Sequence, residues 1–283
     1  MSNIKIGHIN FLNILPLTYS YRNGYANGLD VKYNVPSILN DDLANKRLDI
    51  SHISSIAYAR LNDDLLLLPN ICIRADCDVE SIMLISRVPI ENLNGEKIIL
   101  TSKSATSHCL LKIILSEGYN LTPKYFVDAV DVKNPVSDDS TAALLIGDDA
   151  LYNYFHTPKN FYCYDLGKLW HELTGKSMTY AVWAVQKNFA ENFPNRLQFA
   201  YEKIISGLNY GVKNKSAAIN SILKDTSFTY DQLDHYLGGV IKWNFSKTAV
   251  EALQTYYKLA YKLNLIDRLP EIKFADVKSY ESN

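Results

Sequence analysis

The stretch GHINFLNILPL, residues 7–17, constrains the fold more than any other part of the chain. Ile6 and Ile9 belong to a buried strand, Asn13 comes where that pattern breaks, and Pro16 suits the first turn of a helix. Asn13 is therefore expected at the carboxyl end of a strand, beside a helix amino terminus. Ligands bind at this edge of open α/β sheets, because free N–H groups and the helix dipole meet there. The stretch predicts an α/β sheet with Asn13 either at a ligand site or in a helix cap.

Length and charge narrow the class of partner. The 283 residues are 47% hydrophobic, enough for one large domain or two ordinary ones. With 29 basic and 30 acidic residues and no long run of either sign, the formal net charge is −1. This balance indicates no nucleic-acid surface and no membrane patch, so we expect a small-molecule partner.

Targeting signals and cysteines indicate the compartment. No basic segment followed by an apolar one opens the chain, and no run approaches the ~18 apolar residues that would span a bilayer. The four cysteines have irregular spacing, with no CxxC and no zinc-ligand pattern. We interpret them as free thiols in a reducing cytoplasm, with a Cys72–Cys77 pair left open.

The strand-to-turn pattern of the opening stretch recurs further along. A strand over residues 48–53 runs directly into Ser54 and Ser55, which precede a helix near Ala57. Their hydroxyls are expected to face the same crevice as Asn13, or else to cap the helix.

A second strand and helix alternation follows SIMLIS, which ends at Ser86. We expect the chain to cross there into a second lobe and to return near the strand YAVWAV, residues 180–185. This gives lobe I over residues 1–86 and 184–283 and lobe II over residues 87–183. The end of lobe I, from about residue 189, is predicted to be helical.

Two turns of the second lobe are rich in ligand-binding groups. The hydroxyl-rich segment TSKSATS precedes an amphipathic helix over 109–117, and AALLI is a strand that ends at Gly147 and Asp148. Hydroxyls at a helix amino terminus form a cradle for a carboxylate or phosphate, and Gly147 permits close backbone approach. The expected contacts from these turns and from the preceding strand are Ser86, Ser104, Thr106, Ser107, Gly147 and Asp148.

Seven ordered segments between residues 4 and 186 closely resemble the MqnA family, the chorismate dehydratases of the futalosine pathway of menaquinone biosynthesis. These segments are GHINFLNILPL, SSIAYA, SIMLISRVPI, SKSATS, ALLIGDDAL, YDLGKLWHELTG and YAVWA. The resemblance implies a bilobed, type II periplasmic-binding-protein-like α/β fold, used as a cytoplasmic lyase without cofactor or metal. The implied reaction converts chorismate to 3-(1-carboxyvinyloxy)benzoate and water. The catalytic Asn of the family then corresponds to Asn13, and Ser54, Ser55, Ser104, Thr106 and Ser107 correspond to its polar turns.

The residues agree with this chemistry. Facing helix amino termini with hydroxyl donors can hold the two carboxylates of chorismate. An amide such as Asn13 donates a hydrogen bond but is not a base at neutral pH, and the motifs contain no evident general base. We therefore hypothesise that the enolpyruvyl carboxylate of the substrate removes the proton.

Two other functions are compatible with such a cleft. One is a non-catalytic binding protein for small carboxylates. The other is the sister enzyme of the same pathway, 1,4-dihydroxy-6-naphthoate synthase, whose amino-terminal pattern is expected to differ from GHINFLNILPL. The sequence does not indicate an oligomeric state.

Overall fold

A computed structural model describes residues 3–157 and 159–278. In this part of the chain, strands and helices largely alternate up to the tenth strand, and helices dominate afterwards. The strands are β1 Ile4–Ile9, β2 Leu29–Asn34, β3 Ile50–Ser54, β4 Leu65–Ala75, β5 Ile82–Ser86, β6 Lys97–Thr101, β7 Lys124–Asp128, β8 Ala142–Ile146, β9 Tyr162–Asp165, β10 Met178–Gln186 and β11 Ile241–Lys242. The α-helices are α1 Leu15–Ser20, α2 Pro36–Ala44, α3 Ser55–Leu61, α4 Ala105–Ile113, α5 Gly147–Phe155, α6 Leu166–Thr174, α7 Lys187–Asn192, α8 Pro194–Lys213, α9 Lys215–Asn220, α10 Tyr230–His235 and α11 Lys247–Lys262.

The first sheet has the strand order β11-β4-β10-β3-β1-β2. Strands β1, β2 and β3 are parallel, whereas β10 runs antiparallel to both of its neighbours, β3 and β4. Every residue of β10 is buried, which explains its almost unbroken apolar sequence. The carboxyl ends of β1, β3 and β4 therefore lie at one edge of this sheet.

The second sheet has the order β7-β6-β8-β5-β9. Strands β6, β7 and β8 are parallel, and β5 is antiparallel to both β8 and β9. Its turns after β6 and β8 thus lie at one edge, together with the beginning of β5.

Strand pairing corrects two placements of the sequence analysis. The sequence predicts β5 in lobe I and the beginning of β10 in lobe II, but β5 pairs within the second sheet and β10 within the first. The chain changes sheets between Ala75 and Ile82 and returns between Asp165 and Met178. Apolar runs buried on both faces do not indicate which sheet they join. Residues 1–2, 158 and 279–283 of the predicted lobes lie outside the described residues.

The carboxyl-terminal segment returns to the first sheet. Its short strand β11 pairs with the end of β4, and helix α11 packs against β10 and α4. Two buried tyrosines of α11 donate hydrogen bonds to backbone carbonyls of the site turns, Tyr256 to Thr106 at 3.1 Å and Tyr257 to Ser55 at 2.8 Å. The helical tail therefore fixes turns of both sheets.

Candidate active site

A cleft lies where the edges of the two sheets face each other. Both sheets contribute to its walls, as expected for a ligand site in a two-lobed α/β fold. None of the described side chains that line it is charged. The polar groups in its wall belong to Asn13, Ser54, Ser81, Ser104, Thr106, Ser107, Gly147 and Tyr180.

Asn13 lies in a single 3₁₀ turn, Leu12–Ile14, between β1 and α1. Its side chain caps neither this turn nor α1. The side-chain oxygen Oδ1 is buried and has no hydrogen-bond partner among the described residues, while the backbone carbonyl accepts the indole N–H of Trp243 at 2.8 Å. The structure thus excludes the capping role and places Asn13 in the cleft wall with an unpaired amide oxygen.

The two serines after β3 have different surroundings. Ser54 lines the cleft, where its N–H donates to Oδ1 of Asn40 at 3.1 Å and its hydroxyl accepts from Nδ2 of Asn40 at 3.2 Å. Ser55 is fully buried, and its hydroxyl donates to the carbonyl of Thr179 at 2.7 Å. Ser55 does not line the cleft, so its hydroxyl connects β3 and α3 to β10.

The hydroxyl-rich turn after β6 lies opposite. Ser104 caps α4, since its Oγ accepts the N–H of Ser107 at 3.3 Å, and all three predicted side chains line the cleft. Thr106 Oγ1 accepts the backbone N–H of Ile56 at 3.1 Å. Thr106 lies in α4, and its hydrogen bond therefore connects α4 to α3.

Of the two predicted residues after β8, Gly147 lines the cleft and Asp148 does not. Gly147 has φ +63°, and a Cβ at this position would lie 3.1 Å from Cε1 of Phe11. Glycine is therefore needed here for both conformation and space. Asp148 lies outside the cleft wall, where Oδ1 accepts the N–H of Leu12 at 3.1 Å and burial raises its pKa to about 6.

Ser86 lies away from the cleft. It ends β5, and because β5 is antiparallel to β8, the end of β5 that reaches the cleft carries Ser81 and Ile82 instead. The Ser86 hydroxyl donates to the carbonyl of Val88 at 2.7 Å, a local turn contact.

Residues 4–262 match the family model for menaquinone biosynthesis. The chain belongs to this family. It is 28% identical over 274 residues to a chorismate dehydratase of Campylobacter jejuni, covering 92% of this chain and 98% of the relative. It is 29% identical over 196 residues to a chorismate dehydratase of Thermus thermophilus, covering 64% of this chain and 69% of that relative.

Solved structures match the fold. A protein from Archaeoglobus fulgidus superposes with a TM-score of 0.74 at 16% identity, over 93% of this chain and 98% of that one. The periplasmic aliphatic sulphonate binding protein of Escherichia coli superposes with a TM-score of 0.65 at 13% identity, over 100% of this chain and 96% of that one. The family member described here thus has the predicted bilobed periplasmic-binding-protein-like α/β fold.

Two polar residues in the cleft wall, Ser81 and Tyr180, were missed by the sequence analysis. Ser81 accepts the hydroxyl of Tyr236 at 2.8 Å, and its carbonyl accepts the N–H of Gly147 at 2.7 Å. The buried Tyr180 hydroxyl has no hydrogen-bond partner among the described residues. The direction of β5 would have identified Ser81, whereas nothing in the apolar run YAVWAV distinguishes Tyr180.

His8, His52 and His108 do not line the cleft. His8 is fully buried, its Nε2 lies 2.8 Å from Oγ1 of Thr18, and burial lowers its pKa to about 3. On the neighbouring strand His52 stacks on Trp183 with ring centroids 5.1 Å apart. The His108 ring bonds to the carbonyl of Thr101 at 2.6 Å.

Residues 3–157 and 159–278 contain neither a metal-binding cluster nor a membrane-spanning helix. No group of three or more His, Cys, Asp or Glu side chains is placed to hold a metal ion there. No helix in that part of the chain is long and apolar enough to cross a membrane.

Proposed function

We propose that this protein is a chorismate dehydratase, a hydro-lyase that converts chorismate to 3-(1-carboxyvinyloxy)benzoate and water. One observation carries the proposal. The cleft of this menaquinone-biosynthesis family member has hydroxyl and amide groups on both sides and no charged side chain in its described wall. The names of the two curated relatives support the same reaction.

Neutral donors are expected to hold the two carboxylates of chorismate. Helices α4 and α5, each of nine residues, begin at the cleft, and their dipoles favour an anion at that end. Ser104 and Ser107 add hydroxyls at the beginning of α4, and Ser54 adds one from the opposite sheet. Hydroxyls rotate to donate to a bound oxygen, so they suit an anionic ligand without a fixed counter-charge.

Elimination requires the C4 hydroxyl and the C3 proton to leave, after which the ring is aromatic. We assign Asn13 to the departing hydroxyl, because its amide NH₂ can donate to an oxygen that gains negative charge. No carboxylate, imidazole or amine lines the described wall of the cleft. The enolpyruvyl carboxylate of chorismate therefore takes the C3 proton, while the cleft holds that carboxylate against the ring.

The decisive experiment incubates purified protein with chorismate and follows the aromatic product by absorbance and mass spectrometry. We expect product without added metal or nucleotide, and unchanged turnover in the Ser86→Ala control, whose hydroxyl lies outside the cleft. Chorismate that is bound but returned unchanged would replace this function by that of a small-carboxylate binding protein. Formation of 1,4-dihydroxy-6-naphthoate from its own precursor would favour the sister enzyme.

A cytoplasmic location is part of the same proposal. All four cysteines are free thiols, two of them buried. Unpaired thiols are typical of proteins in reducing compartments, which supports this assignment. Fractionation of cells that express the full-length protein would test it.

A further inference from the structure

A second concave surface adjoins the cleft. We call it the lysine groove; it lies between the end of α8, the turn after α10, and β11. Lys213, Lys215 and Lys242 line it together with three asparagines, and no carboxylate side chain lines its described wall. The groove is therefore rich in cationic and hydrogen-bonding groups.

Two of the three lysines are not neutralised locally. Lys215 forms an ion pair with Asp234, Nζ to Oδ1 at 2.8 Å. Lys213 and Lys242 have no acidic partner within 4.0 Å among the described residues. The groove thus has a net positive charge, although the whole chain has a formal net charge of −1.

The groove borders the cleft along β11. Ile241, the residue before Lys242, lines both concavities. Trp243 lines the groove and donates its indole N–H to the backbone carbonyl of Asn13, a residue of the cleft wall. A ligand in the groove is therefore next to the wall that contains Asn13.

The cleft and the groove have complementary properties. A neutral cleft exerts little long-range attraction on a dianion, whereas clustered cations raise the local concentration and association rate of anions. We propose that Lys213 and Lys242 attract small cyclic dicarboxylates, the substrate chorismate and its aromatic product alike, and guide them into the cleft. This inference rests on the proposed function for the identity of the ligand. Lys213 and Lys242 are thereby steering residues that act before chemistry.

The test measures association of the unreactive product 3-(1-carboxyvinyloxy)benzoate with the full-length protein by stopped-flow tryptophan fluorescence, at several ionic strengths. We expect the parent association rate constant to fall as salt rises, because the Debye length shortens to about 10 Å at 0.1 M. At low salt, the double variant K213Q/K242Q should associate about fivefold to tenfold more slowly and depend only weakly on salt. Its dissociation rate constant should stay within about twofold of the parent value, since affinity differences from steering lie in association.

Matched controls separate steering from general effects. K5Q/K46Q removes the same charge from β1 and from the turn after α2, outside the walls of both groove and cleft, and should associate like the parent. K213R/K242R keeps the charges and should do the same, and equal melting temperatures show that the variants are folded.

Two results would overturn the proposal: equal association rate constants and salt dependence in K213Q/K242Q and the parent, or no association of the dicarboxylate with the parent. A parent that shows salt-dependent association but returns chorismate unchanged would keep the groove assignment and lose the proposed function.

Discussion

Replacement of Asn13 separates the two effects that its amide could have. A capping Asn would contribute about 0.5–2 kcal/mol to the free energy of unfolding. Its side chain caps no helix, and Oδ1 is already without a partner among the described residues. Asn13→Ala should therefore change the free energy of unfolding by less than about 1 kcal/mol, because no satisfied hydrogen bond is lost.

Turnover should respond much more strongly. Loss of one preorganised donor to a developing oxyanion costs about 2.7–4 kcal/mol of transition-state stabilisation, or roughly 10²–10³ in kcat. Asn13→Asp should be at least as damaging, because a carboxylate cannot donate and repels the dianionic substrate.

The assay pairs urea unfolding with steady-state turnover of chorismate. Asn45→Ala is a suitable control, since that exposed amide bonds only to the carbonyl of Asp41 at 2.7 Å and lies outside the cleft. It should leave kcat at the parent value. A folded Asn13→Ala variant with parent kcat would refute the assignment of Asn13 to the leaving hydroxyl.

Three further outcomes follow from the structure. Burial lowers the pKa of His8 from 6.5 to about 3, so the unfolded chain binds the proton at a higher pH than the folded protein does. The contribution of His8 to the free energy of unfolding is therefore complete above about pH 6.5 and falls by about 1.4 kcal/mol per pH unit as the pH is lowered to 3. Urea unfolding at a series of pH values should show a smaller loss of stability with falling pH for His8→Phe than for the parent, and an equal loss would contradict this. Gly211→Ala should prevent stable folding, because its Cβ would lie 1.9 Å from the carbonyl oxygen of Pro16; a parent-like melting temperature would contradict the packing of α8 on α1. The reaction product at 100 times its dissociation constant should raise the free energy of unfolding by about 2.7 kcal/mol and compact the protein in small-angle scattering; unchanged scattering would count against closure of the lobes.

Local sequence predicts the elements better than their partners. The strand Ala142–Ile146 was predicted with the bounds that the structure shows, because an apolar run ends there at a glycine. Strand β11 was missed, since two residues are too few for a periodic pattern. The sheet that β5 joins was predicted wrongly, because that choice depends on contacts with β8 and β9, which are distant in sequence.

For the site residues too, local sequence predicts the position after a strand but not the direction of that strand in the sheet. Asn13, Ser54, Ser104, Thr106, Ser107 and Gly147 line the cleft because each lies at or soon after the carboxyl end of a strand that points towards it. Ser86 also ends a strand, but that strand points the other way, and only pairing reveals its direction. Ser55 and Asp148 follow correctly oriented strands, yet each is one residue past the position that faces the cleft. The roles of all these residues in binding or catalysis stay predictions.

The position of β10 has a consequence for the order in which the chain folds during synthesis. This strand separates β3 from β4, although roughly 100 residues lie between the end of β4 and its own beginning. At about 5–20 residues per second, the ribosome needs roughly 5–20 s to supply it. The apolar strands β3 and β4 lack their shared neighbour during that interval, whereas all strands of the second sheet lie within residues 82–165. The second sheet should therefore form first, and the nascent first sheet is where we expect a chaperone to bind.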